Sequence, residues 1–363
     1  MNEQKDIPDT KRSPDRHGDG LDGARRAFTT FGIAFFVMAL LEYAVSFGLY
    51  YLGDRYFPAA AASEWFFWLR GSAVIYLIAM PAAWLIMRRL PRCRLSSPMP
   101  DGTPAKPRRL GGFNFFIAVL MALGIMQVGN IVSNILNSAI YAATGHSSAS
   151  GLDAVMTRLN PAAVFAFVVV IGPIMEELVF RKLIIDRTGR YGLTLSAVLS
   201  SVTFGLFHGN LQQFFYAFAV GMFFAFIYIR TENIRTTILL HMTLNLIGGF
   251  VPSMLIRLVG GYEGLIEIAS NINYNDQQIM ASFIEKYAPL MLIYAWSFSV
   301  IGVAIVGLCL IFTSRRQFTF QGCPAPECPI PREKRGEVVF LNAGMLLFIA
   351  AMTAILALSF FGY

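Results

Sequence analysis

Apolar residues along this chain gather into runs of roughly twenty, the length a helix needs to cross a bilayer, separated by shorter polar or basic stretches. Nine such runs fall near 27–51, 65–87, 113–143, 162–186, 192–209, 211–229, 236–256, 289–313 and 338–361. None shows the alternation of a strand. Backbone groups in lipid need partners within their own segment, so each run predicts a helix. The fifth and sixth meet at Gly209-Asn210 and have the least defined limits. The first 26 residues are polar and lack the layout of a signal peptide, so they read as a disordered cytoplasmic tail. The stretch 258–288 has the pattern of an amphipathic lid on the outer face. The expected fold is an all-α, polytopic membrane helical bundle of about eight or nine transmembrane helices.

Composition agrees with this pattern. Hydrophobic residues make up 56% of the 363 and charged residues only 14%, against about 25% charged in soluble domains. Mean hydropathy is +0.57. Of the 29 Lys and Arg, 24 fall in the tail and in segments 88–112, 181–190, 230–236 and 314–337. These basic segments alternate with poor ones through all nine runs, which predicts a cytoplasmic N-terminus and an external C-terminus. The net charge of +7 is accounted for by this bias and by contact with anionic membrane lipid. It requires no nucleic acid.

In so apolar a chain, the stretch "IGPIMEELVFRKL" (171–183) stands out. A charge at mid-membrane costs ~2.5–3.5 kcal/mol on insertion scales, so it faces a cavity or a partner. Glu177 and Arg181, four apart, can pair on one helical face. Glu176 points about 100° away and has no local counter-ion. The bland alternative is a helix that ends here, its charges reaching the headgroups. Two further segments weigh against it. "FGLFH" puts Phe204 and His208 one turn apart, and "HMTLN" does the same for His241 and Asn245. Either alone would serve as interhelical hydrogen bonding. Together, two acids, two imidazoles and an amide form a chemical set.

The ordered motifs Glu176-Glu177…Arg181, Phe204…His208 and His241…Asn245 resemble those of the type II CAAX-prenyl-protease and bacteriocin-processing family of intramembrane proteases, also called the Abi family. The match covers about residues 160–250 and departs at no motif position. It implies a buried cavity faced by the motif helices and hydrolysis of a peptide bond in a membrane-associated or lipidated protein. By this resemblance Glu176 activates water, helped by His208. His241 and Asn245 stabilise the oxyanion, Glu177 and Arg181 form a supporting pair, and Phe204 lines the substrate side. The expected divisions are then the tail 1–26, N-terminal helices in 27–160, a catalytic core at 161–256, and the outer loop with the last helices at 257–363. A bacterial plasma membrane is the expected setting.

Other readings stay open on sequence. Glu176, His208 and His241 could make a two-His, one-carboxylate site for a divalent metal such as zinc, or the reaction could need no cofactor. There is no His-Glu-x-x-His helix. An intramembrane Glu, His and Arg set also suits a proton- or cation-coupled transporter, and a non-catalytic scaffold on the protease fold is a third reading. Depth arithmetic sets Glu176 and His241 near the midplane but His208 deeper. Gln127, Asn130, Asn134 and Asn137 form one polar stripe of the third run, read as interhelical hydrogen bonding ahead of cavity lining. Glu42 is a lone acid in the first run. Cys323 and Cys328, in "CPAPEC", are a weak metal signal with no further ligand near them in sequence.

Overall fold

The computed structural model describes residues 20–93, 109–148, 159–261, 280–320 and 325–361, with the single residues 95, 264 and 323. The tail 1–19 and most of the 258–288 stretch lie outside the described residues, as does most of 94–108. No strand occurs among the described residues. The protein is an all-helical, polytopic bundle.

Helix α1 runs Leu21–Tyr56, so residues 21–26 of the expected tail are helical. Asp22 lies in the first turn, where an acid complements the helix dipole. Arg25, one turn in, pairs with Glu337 near the other end of the chain. There follow α2 (Glu64–Met87), α3 (Gly112–Thr144), α4 (Pro161–Tyr191), α5 (Leu193–Phe207), α6 (Leu211–Thr231) and α7 (Ile234–Leu258). Helix α8 is Met280–Ser314. The last two, α9 (Arg332–Val339) and α10 (Ala343–Leu358), are bent by 65° at their junction.

Seven of these helices are long and apolar enough to cross a membrane, and the bent α9–α10 pair makes an eighth if it is one span. The fifth expected run differs. Helix α5 has 15 residues, about 22 Å at 1.5 Å per residue, short of the ~30 Å hydrocarbon core. Gly192 (φ 143) and Gly209 (φ 65) bound it, and both conformations are open to glycine and strained for other residues.

Without a hydrophobic force between helices in lipid, contact depends on close packing. Gly32 of α1 lies directly on the backbone of Gly344 in α10, and Gly307 of α8 on that of Leu120 in α3. A Cβ at either would overlap main-chain atoms. Helix α4 packs against α2, α5, α6 and α7. Phe180 stacks on Phe35 of α1 (centroids 5.9 Å) and meets Phe204 of α5 at 5.3 Å. Large apolar side chains such as Phe47, Leu77, Phe113 and Phe298 point outward, as a lipid-facing surface requires. The polar stripe of α3 is mostly local: Asn130 donates to Gln127 (3.2 Å), and Asn137 fixes Ser148 in the following loop.

Candidate active site

Helix α4 carries the two acids and is not a regular α-helix. Two wide turns, Phe165–Ile171 and Glu177–Leu183, adopt π-helical pairing, which is enriched at functional sites. In the first, the Gly172 N–H reaches the Phe167 carbonyl five residues back. The next donor in that register would serve Val168 from position 173, but Pro173 has no N–H. Asn245 of α7 takes its place, its Nδ2 donating to the Val168 carbonyl at 2.9 Å. An amide nitrogen carries two hydrogens, so the second stays available.

Beyond Pro173, Glu176 and Glu177 project to different sides. Glu177 and Arg181 are both 0% exposed, with Arg181 Nε 3.4 Å from Glu177 Oε2. None of the Arg181 guanidinium nitrogens has a hydrogen-bond partner among the described residues. Its charge is met instead by Glu177 and by aromatic faces: Cζ lies 4.2 Å from the centroid of Phe204 and 5.8 Å from that of Phe224. The other Glu177 oxygen, Oε1, is 3.0 Å from His241 Nδ1. On the far side of that ring, Nε2 is 3.6 Å from Glu176 Oε2. His241 is thus held between the two acids. A carboxylate only accepts, so Nδ1 carries a proton toward Glu177, and Nε2 is the nitrogen directed at Glu176.

His208 closes α5. Gly209 turns the chain and Asn210 caps α6, its Oδ1 accepting from the Gln213 N–H at 2.9 Å. His208 Nδ1 is 2.9 Å from the Phe204 carbonyl. A carbonyl only accepts, so Nδ1 holds the proton and Nε2 of the neutral ring is an acceptor. Phe204 is buried, and its ring stands edge-on to both histidines, at 5.0 Å from His208 and 5.8 Å from His241. It holds Arg181 and separates the two imidazoles. Of the residues singled out in the sequence, Glu176, Glu177, Arg181 and His241 are in direct contact. His208 joins them through Phe204, and Asn245 sits one turn beyond His241 on the same helix.

Two residues of the site carried no sequence signal. Tyr76 of α2 and Tyr216 of α6 both lie within the field of Glu176. The charge of the lone Glu42 also bears on Tyr76, and Tyr216 accepts from Gln213 Nε2 at 3.0 Å. A single tyrosine in an apolar helix is ordinary, so only the fold reveals them. As for metal, both His241 nitrogens face carboxylates and His208 Nδ1 faces a carbonyl. Among the described residues no group of three or more His, Cys, Asp or Glu is placed to hold an ion, so the residues as arranged do not fit a three-ligand site. Cys323 and Cys328 are free thiols.

Residues 158–247, which contain every motif residue above, match the family model described as Type II CAAX prenyl endopeptidase Rce1-like. The chain is 35% identical over 94 residues to YdiL of Bacillus subtilis (strain 168), whose name assigns it only provisionally as a membrane peptidase; the match covers 26% of this chain and 37% of YdiL. It is 28% identical over 139 residues to the membrane-embedded CAAX protease MroQ of Staphylococcus aureus (strain USA300), covering 36% of this chain and 55% of MroQ. The chain therefore spans between about a third and somewhat over half of the lengths of these relatives. No solved structure matches.

Proposed function

We propose that this protein is a membrane endopeptidase that cleaves a membrane-associated or lipidated protein or peptide, with Glu176 as the general base. The observation that carries the reading is the buried relay in which Arg181 holds Glu177, Glu177 holds His241 Nδ1 at 3.0 Å, and His241 Nε2 faces Glu176 at 3.6 Å. The Rce1-like match and the name of MroQ support the same reaction class.

In this reading Glu176 takes a proton from a water molecule, positioned with the help of the free Nε2 of His208. The hydroxide oxygen bonds to the scissile carbonyl carbon, whose oxygen becomes an oxyanion. The second Nδ2 hydrogen of Asn245 and the Nε2 side of His241 lie one helical turn apart and stabilise that charge. For Nε2 to donate while Nδ1 donates to Glu177, the ring must carry both protons, so it binds the oxyanion as an imidazolium. When the C–N bond breaks, Glu176 returns its proton to the leaving amine. Glu177 orients His241 and balances its charge, a larger role than partnering Arg181 alone. The N-terminus is cytoplasmic in this proposal, as the Lys/Arg distribution requires.

The test compares the termini of membrane proteins in cells expressing wild-type protein and Glu176→Gln. Cleavage sites present with the first and absent with the second, at equal protein level, are the expected result. Identical sets of termini would refute the reading.

A further inference from the structure

A second feature lies on the other side of α4 from the relay. A cavity of about 360 Å³ opens between α2 and α4, within the ~300–1,000 Å³ range of ligand sites. Its inner wall is apolar, built from Trp84 of α2 with Met175 and Leu178 of α4. Its mouth is cationic, with Arg92, Lys182 and Arg187. From Met175 to Arg187 the wall runs twelve residues, about 18 Å, close to the half-thickness of a ~30 Å hydrocarbon core.

Three cations stand at the mouth against one acid, Asp186, among the described residues. Lys182 is 3.5 Å from Asp186, and Asp186 also accepts from the Tyr228 hydroxyl at 2.6 Å. Arg187 is only 3% exposed; its Nη1 donates to the Leu183 carbonyl at 3.1 Å, but its Nε has no hydrogen-bond partner among the described residues. Arg92 bears on it with like charge and Asp186, already shared with Lys182 and Tyr228, with opposite charge. A buried guanidinium beside a second cation is costly unless an anion joins them. An apolar groove of leaflet depth below a cationic mouth has the chemistry of a lipid site.

We propose that this groove binds an anionic glycerophospholipid, its phosphate held by Arg92 and Arg187 and one acyl chain lying along Trp84, Met175 and Leu178. The inner end of the chain would rest against Met175, the residue before Glu176, so the lipid would brace the acid-bearing helix from behind.

Trp84 provides the probe. The chain has four tryptophans, and Trp65→Phe, Trp68→Phe and Trp296→Phe together leave Trp84 as the reporter. This full-length protein is placed in nanodiscs containing phosphatidylglycerol or phosphatidylcholine with brominated acyl chains at matched mole fraction. Saturable quenching by the phosphatidylglycerol, at roughly 25-fold lower mole fraction than by phosphatidylcholine, is expected if each of two cations adds about fivefold. Arg92→Gln with Arg187→Gln should abolish that preference and leave quenching by phosphatidylcholine unchanged. Inorganic phosphate at millimolar concentration should not relieve the quenching. Equal quenching by both lipids, or a preference that survives the double substitution, overturns the proposal. Relief by phosphate marks a small-anion site and also overturns it. Should the tryptophan or Arg187 variants not fold, native mass spectrometry of wild-type protein and of the exposed-site variant Arg92→Gln decides. Retained phosphatidylglycerol, weakened about fivefold in the variant, supports the site, and equal or no retention sinks it.

Discussion

Replacing Arg181 with alanine tests whether the buried pair holds the relay together. Arg181 and Glu177 are both fully buried at 3.4 Å, so at an effective dielectric of 20 their attraction is about 5 kcal/mol. Removing the guanidinium takes away the permanent cation beside buried Glu177 and leaves it only the His241 Nδ1–H, a change of the kind that costs ~3–5 kcal/mol. It also removes the cation from the Phe204 and Phe224 faces at 4.2 and 5.8 Å, worth up to about 2 kcal/mol when desolvated. The expected result is a sharp loss of monodisperse protein on size exclusion and a lowered midpoint in a detergent thermal-unfolding assay. The double variant Glu177→Gln/Arg181→Met removes both charges at similar volume and should recover most of the yield. It should not recover activity, because a neutral amide in place of the Glu177 carboxylate lacks the charge that balances a doubly protonated His241. An Arg181→Ala protein as stable as wild type would refute the reasoning, since the pair would then be solvated. A double variant with full activity would remove Glu177 from the mechanism while leaving its structural role intact.

The remaining predictions concern the site, its metal dependence, the thiols and the topology. Asn245→Ala should lower turnover by roughly 10²–10³, the loss seen for one oxyanion donor, and should slightly loosen α4 at Val168; turnover within threefold of wild type would exclude Asn245 as a donor. Activity should withstand chelation with EDTA or phenanthroline, whereas a stoichiometric divalent ion that restores activity and is lost in His241→Ala would make His241 a ligand. Burial pushes the Cys93 thiol, beyond the end of α2, up to about 11, so only about one part in a thousand is thiolate at pH 8. A maleimide should therefore modify Cys93 roughly a hundredfold more slowly in folded protein than in protein unfolded in detergent, and equal rates would contradict the packed loop. If the short α5 crosses along with the seven long helices and the bent pair, a reporter fused after Tyr363 should read as external and Cys323 should label from the cytoplasm; an internal reporter would mean an even number of crossings, with α5 not one of them.

Much of the framework is legible from residue type and spacing because lipid permits few solutions. Apolar runs of bilayer length can only be helices, and the Lys/Arg bias needs no structure to be seen. The four-residue spacings work for the same reason: Glu177 with Arg181 is a contact within one helix, and the helix supplies the geometry. Helix limits are less visible. Run 192–209 looks like a span because its composition is apolar, but the glycines at 192 and 209 cut it to 15 residues. Contacts between helices are not written in any local pattern. Nothing near His241 in sequence indicates that its two nitrogens face two different glutamates, or that Tyr76 and Tyr216 approach Glu176.

Pro173 shows why the two kinds of information meet at the catalytic helix. Read as sequence, a proline inside an apolar run is a helix breaker, although the run 162–186 continues past Gly172-Pro173. In the folded chain it removes one donor from a helix already widened to π pairing, leaving the Val168 carbonyl for Asn245. That bond fixes α7 against α4 one turn from the point where His241 meets both acids. The proline thus ends no helix; it creates an acceptor that only a side chain from another helix can satisfy. Substituting Pro173 with alanine restores the missing N–H, and the Asn245 amide then competes with the backbone for Val168. The local change would stabilise α4 as an isolated helix while weakening its registry with α7, which is the registry the relay depends on.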